Sequence, residues 1–221
     1  MAPGGFEPGD GPPAFSQDFQ REFETLLKWR RDVRRFRTDP LPEGMLDRLL
    51  HLADLAPSVG NSQPWRIVLV DSPERREQVV ASFEAENETA AMRYGGDKAL
   101  KYRQLKLAGL KEAPVHLAIF SDDDPGQGHG LGRMTMPETL AYSTVSMIHT
   151  FWLAARAEGV GVGWVSILDP ETVCRVLQVD AGWRFVAYLC VGFPEEDHLD
   201  PELERVGWQA RSPLEQRLFR R

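Results

Sequence analysis

Apolar positions recur every three or four residues early in the chain, at Phe19, Phe23, Leu26, Leu27 and Trp29. This spacing is helical and predicts a helix over Phe19–Phe36, broken at Thr38-Asp39-Pro40. Leu46, Leu49, Leu50, Ala53 and Leu55 place a second amphipathic helix over Met45–Ala56, ended by Pro57. Trp65–Val70 (WRIVLV) and Val115–Phe120 read as strands, with a helix from Pro73 to Phe83 between them. Pro137–Glu158 is a long helix, apolar almost all round, which places it at the centre of a domain or in a subunit interface. Gly161–Ile167 is a third strand. Pro170–Leu177 is a short helix with Asp169 at its N-cap. Arg184–Phe193 (RFVAYLCVGF) is almost continuously apolar, the mark of a central strand.

Between these elements, 84–97 is polar and poorly patterned, a surface loop or a mobile lid. Residues 100–112 are weakly helical. Asp122–Arg133 is a glycine-rich loop, and 202–221 is a charged C-terminal extension. Four strands and about six helices do not alternate regularly, and no repeat or linker divides them. The expectation is one α+β domain over 18–221, a central sheet covered by helices. It follows a Gly- and Pro-rich tail, 1–17, expected to be flexible.

Length agrees with this: 221 residues suffice for one sizeable core. Acidic residues outnumber basic ones, 33 to 26, for a net charge of −7, which speaks against a nucleic-acid partner. The longest stretch without a charged side chain, Thr139–Ala155, has seventeen residues. A membrane span needs about 20, so no membrane partner is expected. Cys174 and Cys190, far apart and in apolar surroundings, read as reduced thiols, which fits the cytoplasm.

Nucleotide P-loop and serine-hydrolase motifs are missing, and the five histidines are scattered, with no metal-like pair. Gly159-Val160-Gly161-Val162-Gly163 precedes a strand, whereas a dinucleotide fingerprint follows one. The informative feature is a cluster in an acidic chain: Arg30, Arg31, Arg34, Arg35 and Arg37. On the expected helix, Arg30 and Arg34 share a face. Converging guanidinium forks suit a phosphate dianion. A solvated basic helix end accounts for the same residues. Asp32 within the cluster is an ion-pair partner, or a carboxylate held near a phosphate-bearing ligand. Ser58-Val59-Gly60-Asn61-Ser62-Gln63-Pro64-Trp65 is an ordinary turn, or a set of amides for a heteroaromatic edge.

Taken together, these segments resemble the flavin-dependent nitroreductase superfamily. The matching elements are Arg30-Arg31-Asp32-Val33-Arg34-Arg35-Phe36, Ala56-Pro57-Ser58 through Trp65, Gly159 to Trp164, and Arg211-Ser212-Pro213-Leu214-Glu215. Order and spacing hold from about Asp18 to Arg217. Three features resemble the 5,6-dimethylbenzimidazole synthase branch: Asp32 between the arginines, Ser166 just after Trp164, and Leu140-Ala141-Tyr142-Ser143 following Met134–Thr139.

The resemblance implies a mostly antiparallel sheet in a homodimer with flavin at the subunit interface. It implies reduced FMN as substrate and dioxygen as co-substrate. The products would be 5,6-dimethylbenzimidazole, the lower ligand of cobalamin, and erythrose 4-phosphate, with a separate flavin reductase supplying FMNH2. On the same basis Arg30, Arg31, Arg34 and Arg211 hold the phosphate, with Val33 among them. Ser58, Asn61 and Gln63 meet the ribityl chain or ring edge, and backbone at Gly163, Trp164 and Val165 faces the isoalloxazine. Ser166 bonds near the flavin N5, and Asp32 moves a proton at the ribityl carbon that becomes the benzimidazole bridge. A lid over 84–106 would exclude water. Two other readings stay open: an NAD(P)H-dependent nitroreductase or flavin reductase, and a flavin-binding module without catalysis.

Overall fold

The apolar runs Trp65–Leu69 (β1), Val115–Asp122 (β2), Gly161–Val165 (β3) and Trp183–Gly192 (β4) form one sheet in the order β1-β2-β4-β3. Every neighbouring pair is antiparallel, as expected. The computed structural model describes residues 11–105 and 107–221. Most of the expected tail, residues 1–10, lies outside them, as does Lys106 of the 84–106 segment.

Side chains alternate across the sheet. Leu117, Ile119, Ala187, Leu189 and Val191 face one layer, containing Met45–Ala53 (α2) and Thr139–Ala157 (α5). Ala118, Phe120, Tyr188 and Cys190 face the other, containing Pro73–Ala91 (α3) and Pro170–Leu177 (α6). Asp169 caps α6, accepting the main-chain N–H groups of Glu171 and Thr172. On α5, Leu140, Thr144, Met147, Ile148, Phe151 and Ala155 are buried, while Tyr142 and Val145 stay exposed. Its apolar surface therefore divides between the core and an open side. Among the described residues no helix is long and apolar enough to cross a membrane.

The first helix departs most from expectation. It covers only Gln17–Trp29 (α1), and the arginine segment after it is extended. The cause is tertiary. Asp32 bridges Val162 of edge strand β3 in parallel, and the Val33 N–H donates to the Val162 carbonyl at 3.1 Å. Phe36 bridges Pro194 and is 1% exposed. Burying that ring contributes roughly 1.5–3 kcal/mol, enough to override a helical pattern. The glycines of β3 permit the approach. A Cβ at Gly163 would stand 2.1 Å from the Val33 carbonyl oxygen, and one at Gly161 2.8 Å from a Val33 methyl.

The other boundaries shift by smaller amounts. α2 stops at Ala53, and the carboxylate of Asp54 accepts the Trp65 indole N–H at 2.8 Å. α3 continues through Ala91, so the first half of the expected 84–97 loop is helix. That stretch (Glu84–Ala91) is rich in good helix formers but carries no apolar stripe to announce it. Gly96–Gln104 (α4) follows, and the helix expected over 100–112 gives way to turns beyond it. A short α-helix, Glu202–Arg205 (α7), lies in the charged C-terminal segment.

Candidate active site

The extended segment from Arg30 to Phe36 runs along the outer edge of β3 as a ribbon. Trp152 of α5 supports it: its indole N–H donates to the Arg31 carbonyl at 3.2 Å, and the Arg30 guanidinium lies 5.0 Å above its ring. The C-terminal segment returns to face the ribbon. Arg31 Nε donates to the Leu199 carbonyl at 2.9 Å, and Arg35 Nη1 to Glu202 Oε1 at 3.1 Å. Between the two lies a cleft lined by Arg30, Arg31, Asp32, Arg34, Pro201, Glu202, Leu203 and Arg211. Four arginines drawn from both ends of the chain meet there, although Arg30 and Arg34 share no helical face.

The electrostatics suit an anion. Burial pulls the Arg30 guanidinium below its ordinary range; Asp32 opposes this and Arg211 adds to it. Burial, then Arg30 and Arg211, does the same to Arg31. Like charges are thus held close enough to repel, and a phosphate dianion would relieve that cost while accepting their donors. The chemistry of this donor set fits the phosphate of FMN.

Asp32 is fixed at both oxygens. Oδ1 accepts the Trp164 main-chain N–H at 2.8 Å, and Oδ2 accepts Arg34 Nε at 2.9 Å. The side chain keeps 32% of its surface, yet protein crowds the carboxyl from the ribbon, β3 and α7. That desolvation raises its pKa above the ordinary 3.8, against the Trp164 N–H and Arg34, and the Glu202 carboxylate raises it further. A carboxyl tuned upward inside a cationic cleft is a candidate for proton transfer.

The nitroreductase family model matches residues 27–193. The chain belongs to the nitroreductase family. Within the family, it is 56% identical to the 5,6-dimethylbenzimidazole synthase of Rhodospirillum rubrum, over 91% of this chain and 95% of that one. A synthase of the same name from Rhodobacter capsulatus is 50% identical over 91% of this chain and 97% of its own. Among solved structures, an oxidised iodotyrosine deiodinase bound to FMN and 3-iodo-L-tyrosine superposes with a TM-score of 0.67. It is 26% identical and covers 80% of this chain and 91% of its own.

The other residues expected at the nitroreductase site are spread around the arginine cleft rather than in it. Val33 packs on Gly161 and Gly163 and lines a neighbouring cleft with Trp152 and Arg156. Gly163 and Val165 are buried in β3, and Trp164 is half-buried beside Trp152. Ser166 is exposed just beyond the strand end, two residues after the N–H that holds Asp32. Ser58, Asn61 and Gln63 belong to a separate patch. The Ser58 hydroxyl accepts the Gln63 N–H, and Gln127 Nε2 donates to the Asn61 carbonyl and to Gln63 Oε1. This loop is fixed to α5 by the Val59 N–H donating to Ser143 Oγ, whereas the arginine ribbon rests on Trp152. Those anchors are nine residues apart on α5, about 14 Å along the axis.

The sequence reading missed Glu202 and Trp152. Glu202 lies in the extension that also carries Arg211, so the pairing of Arg211 with the N-terminal arginines was the available signal that this segment returns to the site.

Proposed function

We propose that this chain is a 5,6-dimethylbenzimidazole synthase: reduced FMN and dioxygen are consumed, and 5,6-dimethylbenzimidazole and erythrose 4-phosphate are released. The observation that carries the reading is 56% identity to a protein of that name across 91% of the chain. Likeness to an NADH dehydrogenase of Thermus thermophilus is only 28%. The arginine cleft, with a half-buried carboxyl beside four guanidinium groups, supports the ligand class.

In this reading one domain, 18–221, does the work. Arg30, Arg31, Arg34 and Arg211 hold the FMN phosphate. The reduced isoalloxazine supplies the reactivity toward dioxygen. Asp32, held by Trp164 and Arg34, moves a proton at the ribityl carbon that becomes the bridge carbon of the product; its raised pKa brings it nearer neutral pH, where such transfer is efficient. Ser166 positions the ring near its N5. A consumed flavin must be replaced, which implies a separate reductase supplying FMNH2. The unpaired Cys174 and the buried, unpaired Cys190 support a reducing compartment, the cytoplasm.

The loop of Ser58, Asn61 and Gln63 and the arginine ribbon are too far apart along α5 to grip one phosphate end together. We infer that a second copy brings its loop to the ring end of the ligand, across the open sides of α1 and α5. Phe19, Phe23, Tyr142 and Val145 are exposed there. Sedimentation of the full chain as a monomer at flavin-binding concentrations would contradict the shared site.

The experiment is a flavin balance. Chemically reduced FMN is mixed with excess protein in air, and oxidised FMN is recovered after denaturation. The synthase reading predicts that flavin is irreversibly lost. Full recovery of FMN would favour a reductase or a passive binder.

A further inference from the structure

The C-terminal segment that walls the arginine cleft has a second attachment, remote from the ribbon. Past α7 the chain turns at Gly207, where φ is +68°, and the Trp208 N–H donates to the Leu203 carbonyl at 2.8 Å. The Trp208 ring then meets two tyrosines from the segment after α3. Tyr94 lies edge-on at 5.3 Å and Tyr102 tilted at 6.1 Å, and the two tyrosines stack at 4.9 Å. Tyr102 is 6% exposed, and its hydroxyl donates to Asn87 Oδ1 of α3 at 2.8 Å. Lys101 Nζ donates to the Gly207 carbonyl at 3.3 Å. Three aromatic rings and one lysine thus join residues 94–104 to the strap that bears Glu202 and Arg211.

Arg211 follows Trp208 by three residues. It is exposed and makes no ion pair among the described residues, yet its charge is felt by Arg30 and Arg31. We propose that Trp208 is a positioning residue for the arginine cleft, and that through it a phosphate monoester bound there orders residues 94–104. The proposal rests on the reading that this cleft holds the phosphate. Without an anion, repulsion from Arg30 and Arg31 works against the seat of Arg211, which the strap's bonds to the ribbon hold in the cleft lining. A dianion between the walls turns repulsion into shared attraction and holds residue 211 there. Trp208, three residues before it, is thereby held against Tyr94 and Tyr102. Coupling of this kind is reciprocal: the factor by which the docked tyrosines strengthen phosphate binding is the factor by which phosphate strengthens docking.

The test uses full-length protein, FMN and riboflavin, which differ only in the phosphate. Affinities are read by flavin fluorescence, and backbone amide exchange is followed over 94–104. In the wild type, FMN should slow that exchange and riboflavin should not. Trp208→Ala should weaken FMN by about tenfold, the scale of two lost aromatic contacts, leave riboflavin nearly unchanged and abolish the protection. Trp208→Phe should restore most of both. Should Trp208→Ala fail to fold, Tyr94→Ala breaks the same contact from the other side and should give the same phosphate-specific loss. Unchanged FMN binding in the foldable variant, equal loss of FMN and riboflavin, or wild-type exchange indifferent to FMN would overturn the proposal. A wild type that does not prefer FMN over riboflavin would instead remove the reading of the cleft on which it rests.

Discussion

Asp32 Oδ1 accepts the main-chain N–H of Trp164 at 2.8 Å, joining positions 132 residues apart. This bond ties the arginine ribbon to β3, so the groups proposed to hold the phosphate and those proposed to face the ring share one rigid edge. With Arg34 on the other oxygen, both faces of the carboxylate are committed.

Asp32→Asn therefore has two separable consequences. The amide oxygen can still accept the Trp164 N–H, but its NH2 group then faces Arg34 Nε, donor against donor. FMNH2 affinity should fall modestly. At saturating FMNH2, dimethylbenzimidazole formation should fall by about 10² or more, the scale of a lost general acid–base group. A rate near wild type at saturation would show Asp32 to be an ion-pair partner only.

The arginine cleft predicts discrimination by phosphate. Arg30→Ala and Arg34→Ala should each weaken FMN binding by about 1.5–3 kcal/mol, the range for a bond to a charged group. Riboflavin should change far less. Equal losses in a titration of both flavins would place the arginines elsewhere.

Gly163→Ala tests the seating of the ribbon. The new Cβ would be 2.1 Å from the Val33 carbonyl oxygen, a backbone atom that cannot swing aside. The ribbon must leave β3 or the strand must distort. Urea unfolding should show a loss of about 1–3 kcal/mol, as for an overpacked core, with FMN binding lost as well. Wild-type stability and affinity would contradict the close approach.

These residues also show what the sequence could and could not reveal. β2 and β4 were legible because an apolar run of that length has few alternatives, and Asp169 because a cap is local. The ribbon was expected as helix because the apolar spacing from Phe19 to Trp29 runs straight into it; the glycines that draw it into extension lie about 130 residues later. The end of α3 was hidden because its residues favour a helix without burying a stripe. Arg30, Arg31, Arg34, Arg211 and Asp32 were named together and share a cleft. Glu202 was lost in a charged extension, since its role depends on where that extension returns.

The buried His116 makes stability depend on pH. Its Nδ1 is 3.0 Å from the Tyr188 hydroxyl, and burial, helped by Arg76, lowers its pKa from 6.5 to about 4. Between those values the unfolded chain binds the proton and the folded chain does not. Stability contributed by His116 is thus present above pH 6.5 and lost as pH falls toward about 4. The full effect is about 3 kcal/mol. Urea unfolding across this window should show that loss, and His116→Gln should flatten it. An unchanged slope in the variant would assign the acid sensitivity to other groups.

The reaction itself is settled by its product. Wild-type protein and Asp32→Asn are each exposed to chemically reduced FMN and air, and the small molecules are separated and identified by mass spectrometry. For the wild type, 5,6-dimethylbenzimidazole should appear in proportion to the flavin lost, with erythrose 4-phosphate beside it. The variant should return mainly oxidised FMN. Complete return of FMN by the wild type, with no dimethylbenzimidazole, would contradict the synthase reading.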